Sequence, residues 1–108
     1  MKKKPYKANI KGIDWEFHLQ TVRAYVRDHG KDSGAITYLG DKDVYFSDSQ
    51  LSPGTIRHEL LHVYVASSGT NSSDLDASQM EELCAEILEL HGPEIMLLTD
   101  KILEHFLK

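Results

Sequence analysis

Disulfide bonding is the first thing this chain lacks: Cys84 is its one cysteine in 108 residues, so no intramolecular disulfide can form. A lone thiol suits a reducing compartment, and a cytoplasmic protein is expected. Long apolar runs are missing as well, and no stretch approaches the ~20 residues of a membrane span. The basic start Met1-Lys2-Lys3-Lys4 is followed by Pro5-Tyr6-Lys7-Ala8-Asn9, not by the apolar core of a signal peptide. Export by that route is therefore not expected, and residues 1–8 read as a flexible basic tail. Positive charge is in deficit, 12 Lys and Arg against 17 Asp and Glu for a net charge of −5, which argues against a general nucleic-acid binder. Internal repeats and low-complexity linkers are absent too. What remains, 41% hydrophobic and 27% charged, is the composition of one globular domain over residues 1–108 with a single modest core.

Hydrophobic patterning assigns the elements. Asn9 to Thr21 reads as a strand pair or a bent strand, because Trp15, Phe17 and Leu19 alternate with Glu16, His18 and Gln20, and Gly12 marks a turn. Val22, Tyr25 and Val26 are spaced for a short helix to about His29, closed by Gly30, with a strand over Thr21 to Arg27 as the alternative. Ala35 to Leu39 and Val44 to Ser47 read as strands joined by the hairpin signal Gly40-Asp41-Lys42-Asp43. Ser52-Pro53 offers an N-cap and a first-turn proline for a helix that Gly69 ends. A polar loop is expected from Ser67 to Gln79. A helix follows from about Ser78 to His91, stopped by Gly92, and Pro93 opens another that runs to the C-terminus. Strands first and helices after predict an α+β domain: a small antiparallel sheet packed against three helices on one face.

The residues with the most specific chemistry are His58-Glu59-Leu60-Leu61-His62, an H-E-x-x-H run in the middle of the capped helix. Histidines four apart share a helix face, with Cβ atoms roughly 5–6 Å apart. Both imidazoles can then reach one metal ion at the about 2.0–2.1 Å that zinc requires. Glu59 falls beside the metal and is placed to take a proton from a metal-bound water. With six histidines and eight glutamates, the pattern arises by chance in roughly 2 of 100 random chains of this composition. Its place inside a helix is what makes it informative.

A catalytic zinc has three protein ligands and one open position, so a third ligand is needed. The glutamate-rich stretch Glu81 to Glu89 is the best pool. Taking about 100° per residue from Glu81, the apolar residues Met80, Leu83, Cys84, Ile87, Leu88 and Leu90 span about 180–340°. Glu81 lies at the edge of that arc and is the first choice, with Glu82 second. Glu86 and Glu89 fall on the polar side, and Asp74 and Asp76 are weaker candidates. His91 lies inside the arc and is a further possible donor or ligand, though a half-buried helix-terminal histidine accounts for it equally. Tyr38, Tyr45 and Tyr64 are candidates for holding an oxyanion, each also readable as a core residue. His18 is expected to be exposed, and Cys84 to be a small buried hydrophobe.

The run Thr55-Ile56-Arg57-His58-Glu59-Leu60-Leu61-His62, with Glu81-Glu82-Leu83-Cys84-Ala85-Glu86-Ile87-Leu88 downstream, resembles the minimal zincin domains, the SprT-like and ImmA/IrrE-like metallopeptidases, above all their short phage and prophage forms. The likeness takes in Gly34-Ala35-Ile36-Thr37 and Val44-Tyr45-Phe46-Ser47 upstream and spans most of residues 9–95. It implies a zinc peptidase with His58, His62 and Glu81 as ligands and Glu59 as general base. Many relatives carry Asp or Asn four residues after the third ligand. Here that position is Ala85 counted from Glu81 and Glu86 counted from Glu82, which keeps Glu82 in play. The resemblance implies hydrolysis of a peptide bond in a protein substrate, with no nucleic-acid or membrane partner. The competing expectation is a zinc-containing, phage-type protein-binding module with little or no catalysis.

Overall fold

The computed structural model describes residues 3–69 and 74–108; Met1 and Lys2 of the expected tail, and residues 70–73 of the expected polar loop, lie outside them. Four strands and three helices follow in the order β1 (Tyr6–Ile10), β2 (Ile13–Gln20), α1 (Val22–His29), β3 (Ala35–Tyr38), β4 (Asp43–Ser47), α2 (Pro53–Ser67) and α3 (Ala77–Leu107) among the described residues. Tyr6, Lys7 and Ala8, which the sequence assigns to the tail, pair with Phe17, Glu16 and Trp15 and so form the start of β1. A two-residue turn joins β1 to β2, with Lys11 and Gly12 both at positive φ (53° and 83°), the geometry that suits the twist of a tight hairpin.

The chain is α+β as expected, but the sheet is mixed, not antiparallel. Its strand order is β1-β2-β4-β3, and β2 runs parallel to β4. The reason lies in the connection. Helix α1 carries the chain from the end of β2 across the sheet to its far edge, where β3 is laid down. The hairpin from β3 then returns as β4 in the direction of β2, and parallel neighbours require such a crossover. Thr21 caps α1 by accepting from the Ala24 N–H, and Gly30 closes it at φ 93°.

The helices do not share one face. One side of the sheet carries Trp15, Phe17, Val44 and Phe46, which pack with Ile56, Leu60 and Val63 of α2 and Ile87, Ile95, Ile102 and Phe106 of α3 in one buried core. Helix α1 lies on the other side, where His29 packs against Tyr38 and Tyr45.

The expected break at Gly92-Pro93 is absent: α3 is one helix of 31 residues with Pro93 inside it. Proline removes a single backbone donor. Burial of Ile87, Ile95, Thr99, Ile102 and Phe106 on one face continues across that point, so packing outweighs the local stop signal. The start of α3 is set by a reciprocal capping box. Asp76 Oδ1 accepts from the Gln79 N–H at 2.7 Å, and Gln79 Oε1 accepts from the Asp76 N–H at 3.0 Å.

Candidate metal centre

Helix α2 is held at its start by Ser52, whose hydroxyl accepts from the Thr55 N–H at 3.1 Å, with Pro53 in the first turn. Its buried residues Ile56, Leu60, Val63 and Tyr64 turn one side into the core. His58 and His62 fall on the opposite, exposed side. Their Nε2 atoms are 3.2 Å apart and the rings meet edge to face. Two nitrogens held by one zinc at about 2.0–2.1 Å with a tetrahedral angle are separated by about 3.3 Å, so the pair fits a shared metal ion. Without a metal the same spacing serves one hydrogen bond, with one imidazole as donor and the other as acceptor.

Glu59 differs from its neighbours. Its side chain is 7% exposed against 69% for His58, and Oε2 lies 3.8 Å from His58 Nε2. A carboxylate out of water needs partners. Thr37 of β3 supplies one: its hydroxyl donates to Glu59 Oε1 at 2.9 Å. One carboxylate oxygen is thereby tied to the sheet while the other stays beside the histidines. Sequence reasoning did not find Thr37, because it lies 22 residues from Glu59 and only strand pairing and helix packing bring the two together.

His58, Glu59 and His62 open onto a cleft of about 900 Å³. One wall is β3, contributing Ala35, Ile36 and Thr37; the other is α2, with Leu61, Val65 and Ala66 beside the motif residues. Helix α3 contributes Met80 and Cys84. Cys84 is half-buried and faces the cleft, where the sequence suggests only a small core hydrophobe.

The other expected site residues fall elsewhere. Glu81 and Glu82 are exposed on α3, and neither lines the cleft. Among the described residues, the donor atoms close enough to share an ion here are those of His58, Glu59 and His62, without Glu81. On α3 the residues that line the cleft are Met80 and Cys84, one helical turn apart. His91 pairs with Glu94 at 3.4 Å and packs on Tyr64 at 5.2 Å, away from the cleft lining. Asp74 is exposed and Asp76 is the cap of α3.

None of the three tyrosines lines the cleft. The Tyr64 hydroxyl is buried, and burial, with the neighbouring Glu94, raises its pKa strongly. Tyr45 stacks on His18 on the far face of the sheet. Tyr38 belongs to a directed chain of hydrogen bonds. Gln20 Nε2 donates to Asp28 Oδ2 at 2.8 Å, which turns Gln20 Oε1 toward His29 Nε2 at 2.9 Å. An amide oxygen only accepts, so His29 Nε2 carries a proton. In neutral His29, Nδ1 then accepts from the Tyr38 hydroxyl at 2.7 Å, and that hydroxyl is not free to serve the cleft. Burial lowers the pKa of His29, opposed by the charge of Asp28.

His18 also departs from expectation. It is half-buried, with Nε2 3.0 Å from Asp43 Oδ1 and 3.7 Å from Glu16 Oε2.

No protein-family model matches this chain, and no curated protein or solved structure matches it.

Proposed function

We propose that this chain is a zinc-dependent metallopeptidase acting on an extended peptide segment of a protein substrate. The observation that carries the reading is the state of Glu59: a buried carboxylate at the base of an open cleft, tied through one oxygen to Thr37 and placed 3.8 Å from His58 Nε2 through the other. A purely structural pair of histidines has no need of a buried acid beside it. His58 and His62 hold the ion, and a zinc ion bound there supplies a Lewis acid and acidifies a water.

Glu59 then acts as the base. Its free oxygen accepts the proton of the attacking water and later delivers it to the leaving amine. The Thr37 hydroxyl keeps that oxygen aimed as the proton comes and goes. Strand β3 ends the sheet order, so among the described residues its outer edge has no strand partner, and its residues wall the cleft. An extended peptide can add to such an edge through main-chain hydrogen bonds. Ala35, Ile36, Leu61 and Val65 favour apolar substrate side chains.

Two groups on α3 compete for the third ligand position: Glu81, the expected one, and Cys84, which faces the cleft. The same variant series tests the base and the ligands. Purified protein is loaded with zinc, and both zinc affinity and cleavage of a denatured protein substrate are followed. Glu59→Gln should lose cleavage by a factor of about 10² or more while keeping zinc affinity. Glu81→Gln and Cys84→Ser are run beside it, and the true ligand is the one whose loss weakens zinc by about tenfold or more. Cleavage undiminished in Glu59→Gln would remove the mechanism. Zinc binding with no cleavage by the unaltered chain would favour the protein-binding module.

A further inference from the structure

The sheet carries a second set of metal-ligand side chains on the face turned away from the cleft. Glu16 and His18 are two apart on β2 and so project to the same side. Asp43 opens β4 and lies directly opposite Glu16 in the parallel register. Like charges placed directly opposite across a strand pair repel. Here the two carboxylates converge on one nitrogen, His18 Nε2, at 3.0 Å from Asp43 Oδ1 and 3.7 Å from Glu16 Oε2. One oxygen of each carboxylate and Nε2 all lie within 4.8 Å of one another.

We propose that Glu16, His18 and Asp43 form a divalent-cation site, independent of the centre on α2. Geometry is the first argument. Donors bound to one first-row ion at about 2.0–2.2 Å are separated by about 2.9 Å at right angles and about 3.4 Å at the tetrahedral angle. The 3.0 Å spacing falls between those values and the 3.7 Å spacing exceeds the larger by about 0.3 Å, a shift that side-chain torsions can supply. Preorganisation is the second. The His18 ring lies flat on Tyr45, centroids 4.5 Å apart and planes within 12°, which fixes the plane in which Nε2 points. Charge is the third. With His18 neutral, the carboxylates leave two negative charges on a partly buried patch. Among the described residues the cation paired there is Lys7, 3.6 Å from Glu16 with its side chain 77% exposed. A divalent ion balances what Lys7 does not. One imidazole with two carboxylates suits zinc or manganese.

The site has a structural role to fill. β2 and β4 are the one neighbouring pair in this sheet that no hairpin joins, since α1 and β3 lie between them in the chain. An ion held by Glu16 and His18 from β2 and Asp43 from β4 pins that parallel pair. The competing arrangement is a protonated His18 bridging both carboxylates with no metal.

The test removes the first centre. In a His58→Gln/His62→Gln double variant, zinc and manganese binding are measured by calorimetry at neutral pH, and thermal unfolding is followed with and without metal. The expected result is one ion per chain at micromolar free metal and a raised melting temperature. Adding His18→Gln should abolish both, and Asp43→Asn should do the same. Far-ultraviolet circular dichroism establishes that each variant is folded; if one is not, the other decides. A folded double variant that binds neither ion would overturn the proposal in favour of the imidazolium bridge, and so would binding that survives His18→Gln. None of these readouts depends on peptide cleavage, so the site stands or falls separately from the activity on α2.

Discussion

Thr37 and Glu59 set the sharpest expectation at the scale of single residues. The hydroxyl of Thr37 holds one oxygen of the carboxylate at 2.9 Å, and among the described residues that bond is the one hydrogen bond on the buried acid. Thr37→Val keeps the shape of the strand side chain and deletes the donor. It should lower kcat by about tenfold with little change in KM, because it misplaces the base without touching substrate contacts. Thr37→Ser should restore most of the rate. Steady-state kinetics on one peptide decide the matter, and a loss confined to KM would mean that Thr37 binds substrate instead. Zinc affinity should be the same in all three proteins. His58, Glu59 and His62 were legible in the sequence because their geometry is local: four residues along a helix is a fixed distance whatever the rest of the chain does. Thr37 was not legible, because a threonine in a strand is ordinary until a helix is packed beside it.

At the scale of elements, α3 shows where local rules stop. Gly92-Pro93 reads as a stop and a restart, yet the helix runs through both residues. Pro93 is exposed and donates no backbone hydrogen bond within the helix. Pro93→Ala should therefore stabilise the protein, by about 1–3 kcal/mol, because it restores that bond and removes the ring's clash with the preceding turn. Urea denaturation measures it, and an unchanged or lower midpoint would mean that the proline shapes a packing contact. The continuity has a consequence for the site. One rigid helix places Cys84 against the cleft with the same packing that buries Ile102 and Phe106 at its far end. The short elements follow their local signals more closely. α1 ends at Gly30, and the β3–β4 hairpin follows the strands flanking Gly40. The left-handed residue in that hairpin is nevertheless Lys42, at φ 61°.

For the whole molecule, the second face of the sheet is a polar and aromatic layer under α1, and it predicts how stability depends on acidity. Burial lowers the pKa of His29 below its unfolded value. A group depressed in this way favours the folded state above its unfolded pKa, near about 6.5, and that contribution is lost as pH falls below it. The melting temperature should drop between neutral pH and pH of about 5. His29→Gln should flatten that part of the curve, which thermal melts across the range will show. A drop of equal size in His29→Gln would place the sensitivity in another histidine. By itself the sequence determined the motif, the Gly30 closure of α1, the Ser52 cap of α2, the alternation of β2 and the α+β class, because each rests on contacts within a few residues. Tertiary structure alone decided that the sheet is mixed and that α1 covers its second face. It alone decided that α3 is unbroken, that Thr37 meets Glu59, and that Cys84 lines the cleft. Those outcomes depend on which surfaces bury one another across the chain, and that energy exceeds any local preference it opposes.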